Sequence, residues 1–390
     1  MSPSVIVVGG GVFGVTAALS LRARGWQVTL LDPGPLPHPA AASTDISKVI
    51  RMDYGADVFY MEAMERSLAG WRQWNAAWPQ PLFHEIGFSL LKRSPMLPDS
   101  YEGASYALLQ ARGHPVERMD ADQIRRRFPA WRAAGLVDGY YNPQGGWAQS
   151  GQVVAHLLQE AGRQGVVLRT GASVRGWDME GDRLTGVQTE AGRLKADCTV
   201  LAAGAWTPAM LPELQACVWP VGQPVIHLRA PEPAAYQPPE FVTWALDIAE
   251  TGWYGFPSLD DGTLKLANHG PGRRLPPTAR LQVTEADEAR FRQFLAEALP
   301  ALAAAERVGA RVCYYADSWD GDFYIDRVPG RDGLVVATGG SGHAFKFAPL
   351  LGDWIADAVE GVANSDLSRF AWRQPAGRRS EEARHAGAER

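Results

Sequence analysis

Three glycines, Gly9, Gly11 and Gly14, stand at the spacing G-x-G-x-x-G, and an acid, Asp32, follows eighteen residues after the last of them. Each glycine answers a separate steric demand. The first permits a tight turn, the second lets backbone approach a pyrophosphate, and the third lets a helix pack closely on the preceding strand, its amino terminus facing the negative charge. An acid at the position of Asp32 accepts hydrogen bonds from ribose hydroxyls and repels a ribose phosphate. The chemistry of this set is dinucleotide binding, and because bare glycine spacings are common, the surrounding elements decide whether it applies.

Those elements are present. Val5 to Val8 is a short β-branched run suited to a buried parallel strand, Phe13, Ala17 and Leu21 fall on one face of a helix, and Val28 to Leu31 forms a second strand ending at Asp32. A proline-rich loop follows, since proline fixes φ and removes donors. In STDISKVIRMDYG, Lys48 and Arg51 lie three apart and would share one face if the segment is helical, with Tyr54 next. Such a basic pair suits a phosphate, a flavin edge or a substrate carboxylate, or else a solvated turn.

Helical patterns are expected over 57–76, 151–163 and within 285–305, with short apolar runs and turns over 81–149. CTVLAAGAWTP (198–208) reads as a strand entering a glycine turn, so the nucleotide unit resumes after an insertion. The stretch 219–324 has strand texture. There Lys265 alternates with Leu264 and Leu266 and so points to the opposite sheet face, where an exposed lysine is the commoner case. GLVVATGGSGHAFKF and the residues after it form a closing strand, glycine turn and helix. The tail 375–390 is polar and expected to be disordered.

At 390 residues two domains are the default, and 46% hydrophobic residues can fill both cores. Against 38 basic and 43 acidic residues, the net charge of −5 argues against nucleic acid as main partner. Cys198, Cys217 and Cys313 are too few and too irregular for a disulfide framework or zinc site, which fits a reducing cytoplasm, and no metal is expected. The opening apolar run enters the glycine turn, so neither a signal peptide nor a membrane span is expected.

The motifs together, from GGGVFG through KVIRMDYG, YGFPS and LKLANH to VCYY and GSGHAFKF, resemble those of the FAD-dependent amine oxidases typified by monomeric sarcosine, pipecolate, N-methyltryptophan and fructosyl amino acid oxidases. The resemblance covers nearly the whole chain. It implies an α/β plus α+β fold: a discontinuous Rossmann-like FAD-binding domain (1–80, 150–215 and 325–374) interleaved with a substrate domain on a mostly antiparallel sheet (81–149 and 216–324). It also implies that Gly9, Gly11, Val12, Phe13, Gly14, Asp32, Ser43, Thr44, Lys48, Val174, Ala203, Gly204, Trp206, Gly340, Gly342, His343, Phe345 and Lys346 contact FAD.

Cys313 stands where family members attach FAD through a thioether, and a thiolate can attack an electrophilic flavin methyl position; a buried strand cysteine is the plainer alternative. By the same resemblance Lys265 lies over the flavin, its charge assisting electron transfer to dioxygen. Arg51 and Lys346 grip the substrate carboxylate, with Tyr54, Tyr254, His269 and His343 around it. A helix from near Phe345 aims its dipole at the flavin. The expected partners are a small amine or amino acid and dioxygen, and a monomer or weak oligomer.

Three departures from the family pattern stand out. Lys48 stands for arginine, Ala344 for a glycine, and Trp253 and Trp319 flank pocket segments. The implied activity is oxidation of an amino acid bearing a secondary or N-substituted amine, to an imine that hydrolyses and hydrogen peroxide. Alternatives are a flavin dehydrogenase or primary amino acid oxidase of the same fold, and a non-catalytic flavin-binding redox module.

Overall fold

The computed structural model describes residues 2–132, 134–274, 276–279, 282–376 and 384. The expected disordered tail therefore lies outside the described residues except for Pro375, Ala376 and Arg384.

The opening strand, Ser4–Val8, sits inside a six-stranded sheet, flanked by Gln27–Leu31 and Cys198–Leu201, both parallel to it. Leu334–Thr338 and Val167–Arg169 continue the sheet outward, and antiparallel Tyr324–Arg327 closes one edge. Val5 to Val8 are at most 5% exposed, as a strand covered on both faces requires. One face carries the helix Val12–Ala23, which crosses Ala348–Glu360 so closely that a Cβ at Gly352 would lie 2.5 Å from the Thr16 carbonyl. Thus the helices that follow the opening and closing glycine turns share one layer.

The expected helices at 57–76 and 151–163 are Val58–Ala77 and Ser150–Arg163, and the third occupies Glu285–Ala298 before a short 3-10 turn at Pro300–Leu302. Ser150–Arg163 buries Val153, Val154, Leu157, Leu158 and Ala161, one stripe at helical spacing. Asp57 caps the first of these helices by accepting from Tyr60 N, satisfying one orphan donor of its first turn.

A larger, mostly antiparallel sheet holds Val218–Arg229, Thr263–Asn268, Trp253–Gly255, Thr243–Leu246, Phe88–Lys92 and Asp138–Asn142 in that order. Thr243–Leu246 and Phe88–Lys92 pair in parallel. The long strand Arg307–Ser318 lies against Val218–Arg229 over almost its whole length. Leu264 and Leu266 bury into a core of Phe291, Phe294 and Leu295 on one face, and Lys265 turns to the other. Trp253 stacks on Phe294 in that same core, and Trp319 packs in the cluster beneath the six-stranded sheet.

One local expectation is corrected. Lys48 and Arg51 do not share a helix face: Lys48–Ile50 is a strand paired with Gly146–Ala148, and Arg51 lies just past its end. Valine and isoleucine after Lys48 favour the extended form.

Candidate active site

A cavity of about 430 Å³ opens along the carboxyl ends of the parallel strands. That is where open α/β sheets bind ligands, and the volume falls in the ordinary range of cofactor sites. Its lining runs from Asp32 past the first glycine turn to the closing turn at Gly339, Gly340 and Gly342.

At the nucleotide end, the Asp32 carboxylate accepts from Gly10 N at 2.9 Å and from Gly34 N at 3.0 Å, which fixes its orientation. Gly9 adopts φ +107°, a conformation that favours glycine, and a Cβ there would lie 2.5 Å from the Ala202 carbonyl. A Cβ at Gly14 would lie 1.8 Å from the Gly9 carbonyl. Gly14 is therefore a packing residue beneath the turn and not part of the wall. Val12 N, the first amide of the helix, donates to Ser43 Oγ at 3.2 Å. The cradle, the helix amino terminus and the oriented acid fit the pyrophosphate and ribose of FAD.

Val12, Phe13, Ser43, Lys48, Val174, Ala203, Gly204, Trp206, Gly340, Gly342 and Phe345 all line this cavity. Thr44 does not; its carbonyl instead accepts from Arg311. In the closing turn Ser341 holds φ +44° while buried, with its hydroxyl accepting from Ser318 N at 3.1 Å. A non-glycine residue in that region is held by its surroundings, a condition concentrated at functional sites. After it comes a 3-10 turn, Ala344–Phe347, and only then the helix Ala348–Glu360, so the regular helix begins later than expected.

A second, smaller cavity of about 60 Å³ shares Lys48, Tyr315, Gly342 and Phe345 with the first. Arg51, Tyr254, His269, His343 and Lys346 also line it, with apolar Val49, Phe88, Ala245 and Ile248. Five of the six residues expected around the substrate thus meet in one place. None of its lining residues is acidic. Arg51 is positioned by Tyr101, whose hydroxyl lies 2.7 Å from Nη1, and by the Asp53 carbonyl. Lys346 Nζ donates to Tyr54 Oη at 3.0 Å, and that oxygen lies 2.8 Å from His343 Nδ1. Tyr54 stands behind the wall as the brace between Lys346 and His343.

Lys265 and Cys313 line neither cavity. Lys265 is 1% exposed, its ammonium 2.7 Å from Asp45 Oδ2 and donating to the Ser47 carbonyl at 2.5 Å. Burial pulls its pKa down to about 8 against the pull of Asp45, whose own carboxyl is held well below the usual range by Lys265 and its other cationic neighbours despite burial. Cys313 is fully buried, with Sγ 3.6 Å from Lys48 Nζ. Burial opposes the charge on Lys48, but the Cys313 sulfur and Asp45 hold its pKa above the ordinary lysine value.

Sequence reasoning missed Asp45, Asp53, Tyr101 and Tyr140. Asp53 is completely buried beside Arg51 and accepts from the Tyr140 hydroxyl, and burial raises its pKa against the Arg51 charge. The only sequence signal was an acid on either side of the Lys48 and Arg51 pair.

Among the described residues no group of three or more His, Cys, Asp or Glu is placed to hold a metal, and no helix is long and apolar enough to cross a membrane. Comparison with known proteins agrees with the geometry. The chain is 26% identical over 378 residues to monomeric sarcosine oxidase of Bacillus sp. (strain B-0618), covering 95% of this chain and 96% of the relative. It is 29% identical over 376 residues to the N-methyl-L-tryptophan oxidase of Salmonella arizonae, covering 95% and 98%. Among solved structures, fructosamine oxidase (Amadoriase II) of Aspergillus fumigatus superposes with a TM-score of 0.85 at 27% identity, over 99% of this chain and 94% of that one. The family described as FAD dependent oxidoreductase (DAO) matches residues 4–358, and with its α/β fold and glycine-cradled cavity the chain belongs to that family.

Proposed function

We propose that this chain is an FAD-dependent oxidase of amino acids whose amine is secondary or N-substituted. One observation carries the reading: a small cavity lined by Arg51, Lys346 and no acid opens against the wall of the cofactor cavity. A carboxylate is the group such a site selects. Arg51 offers a planar fork to two oxygens and Lys346 a point charge. Tyr54 limits where that point charge can go. The relatives named above act, by their names, on N-methylated or sugar-substituted amines, which supports an N-substituted substrate here.

In this reading the residues of Asp32, the glycine turn, Ser43 and the 339–345 turn hold FAD. FAD, when bound, accepts two electrons and a hydrogen from the carbon next to nitrogen and passes them to dioxygen. Arg51 and Lys346 orient the substrate so that this carbon faces the shared wall. His269 exchanges the amine proton, leaving the nitrogen lone pair available. Phe88, Ala245 and Ile248 exclude water from the carbon substituents. Lys265 and Lys48 supply the positive field for reduction of dioxygen to hydrogen peroxide. Covalent attachment of FAD through Cys313 belongs to the same proposal, as does the division of the chain into a FAD unit (1–80, 150–215 and 325–374) and a substrate unit (81–149 and 216–324). A cytoplasmic setting is supported by three buried cysteines that form no disulfide with one another.

The withdrawal of Lys265 from both cavity walls favours one second reading, a dehydrogenase that hands electrons to another acceptor. The deciding experiment is anaerobic bleaching of the flavin spectrum with sarcosine, pipecolate, N-methyltryptophan, fructosyl amino acids and matched primary amino acids, followed by admission of air. Bleaching by an N-substituted member and rapid return of colour in air is expected. Bleaching only by primary amino acids, or a reduced spectrum that persists in air, overturns it.

A further inference from the structure

His227 lies directly across the sheet from Lys265, as a register partner in the antiparallel pair of Val218–Arg229 with Thr263–Asn268. Both side chains therefore project from the same face. Between them, from the loop before Lys48, comes Asp45. Its Oδ2 is 2.7 Å from Lys265 Nζ, and its Oδ1 is 3.5 Å from His227 Nε2. The three form a graded series in exposure: the His227 side chain is 15% exposed, and those of Asp45 and Lys265 are 1% exposed.

Two details give this row a direction. His227 Nε2 is buried and makes no hydrogen bond among the described residues, so the nitrogen facing inward has only the Asp45 carboxylate before it. The other side of the ring stands against Gly309, its register partner on the third strand, where a Cβ would lie 3.0 Å from Nδ1. A side chain there would close the outer approach to the imidazole. One nitrogen thus faces the interior carboxylate and the other a bare backbone.

We propose that His227 and Asp45 conduct protons between solvent and Lys265. The inference rests on the reading of Lys265 as the group that serves dioxygen. Conversion of dioxygen to hydrogen peroxide takes two electrons and two protons. Bound FAD would return both electrons and the hydrogen received from substrate, so one more proton would have to arrive from solvent. Imidazole accepts a proton at Nδ1 and releases another from Nε2 to Asp45; the carboxylate passes it to the neutral amine of Lys265 after that residue has given its own to the oxygen being reduced. Each transfer breaks one bond to hydrogen and forms one; the Asp45 carboxyl turns to carry the proton from the side of His227 to the side of Lys265, and the imidazole, left protonated at Nδ1 in place of Nε2, resets by rotation of its ring. Other charged or titratable groups acting on Asp45 and Lys265 include Lys48, Arg311, Cys313 and Tyr254. Lys48 and Arg311 favour the ionised carboxylate at the centre of the row.

The test separates the two half-reactions of the holoenzyme. In His227→Ala, anaerobic flavin reduction by substrate is expected to stay within about twofold of the parent, and reoxidation by dioxygen to slow roughly tenfold at neutral pH. Free imidazole in the buffer should restore it, because the deleted ring leaves a space at the surface. Asp45→Asn should slow reoxidation without imidazole rescue and shift its pH profile. His227→Gln, which keeps the bulk and lacks the titration, controls for packing. Unchanged reoxidation in both His227 variants, or slowing that imidazole does not relieve, overturns the proposal. Failure of the underlying reading gives a different signature, namely Lys265→Met reoxidising at the parent rate.

Discussion

Replacing Lys346 by methionine isolates the charge of the proposed carboxylate clamp. The ammonium is 4% exposed, lies 4.8 Å from the centre of the Tyr54 ring and donates to the Tyr54 hydroxyl at 3.0 Å. Its position is thus set before any substrate arrives, and little ordering cost remains to offset the new bond. A hydrogen bond between a charged group and a carboxylate in such surroundings contributes about 2–3 kcal/mol, or about 30- to 150-fold in affinity. Methionine keeps the length and apolar stem of the side chain. Because it also removes the cost of burying a charge, the variant should melt at or above the parent temperature. Stopped-flow anaerobic reduction gives both quantities needed: the dissociation constant from the concentration dependence, and the limiting rate at saturation. The expected result is a dissociation constant raised by that factor with a limiting rate reduced much less, since Arg51 still orients the substrate. An unchanged dissociation constant in a folded, flavin-loaded variant would refute the clamp.

Three further outcomes follow from particular contacts. Cys313→Ser should release its flavin on acid precipitation, whereas the parent should yield a peptide containing Cys313 heavier by the mass of FAD; free flavin from both would remove the thioether. Reoxidation by dioxygen should fall as pH rises through about 8, where Lys265 loses its charge. That residue binds fewer protons folded than unfolded between about 8 and its ordinary value of 10.5, so its contribution to stability rises over the same window, and a parallel fall in both would contradict the assignment. Gly14→Ala should yield insoluble or flavin-free protein, because its Cβ would stand 1.8 Å from the Gly9 carbonyl with only backbone to yield; a soluble yellow variant would show that the helix can lift off the turn.

The nucleotide end of the site was legible because its determinants are local. Gly9, Gly11, Gly14 and Asp32 lie within one strand, turn, helix and strand, and their spacing carries the geometry. The face chosen by Lys265 was legible for the same reason, since alternation with two leucines settles it. Its ion pair was not, because Asp45 arrives from more than two hundred residues away on a loop of no regular structure. The spacing of Lys48 and Arg51 left a shared helix face open as a condition; Val49 and Ile50 and a distant partner strand draw the segment extended. Trp253 and Trp319 could be placed near pocket segments by sequence, yet which side of the sheet they occupy depends on Phe294 and on packing under the parallel sheet. Tyr54 shows the intermediate case: its neighbourhood with His343 and Lys346 was expected, but its place behind the wall, as a brace, is a fact of three-dimensional packing.

The walls of the large cavity include residues 8–13 and, more than three hundred residues later, Thr338, Gly339, Gly340, Gly342, Ala344 and Phe345. Synthesis delivers these stretches far apart in time. A nascent polypeptide that has emerged only as far as the long strand ending at Ser318 has one side of the enclosure and no closing turn, and it lacks Leu334–Thr338, which flanks Cys198–Leu201. Capture of the dinucleotide therefore waits for the closing turn: truncations that stop short of residue 345 should leave ribosome-bound or released protein without yellow colour, however well their opening strand, turn and helix are formed.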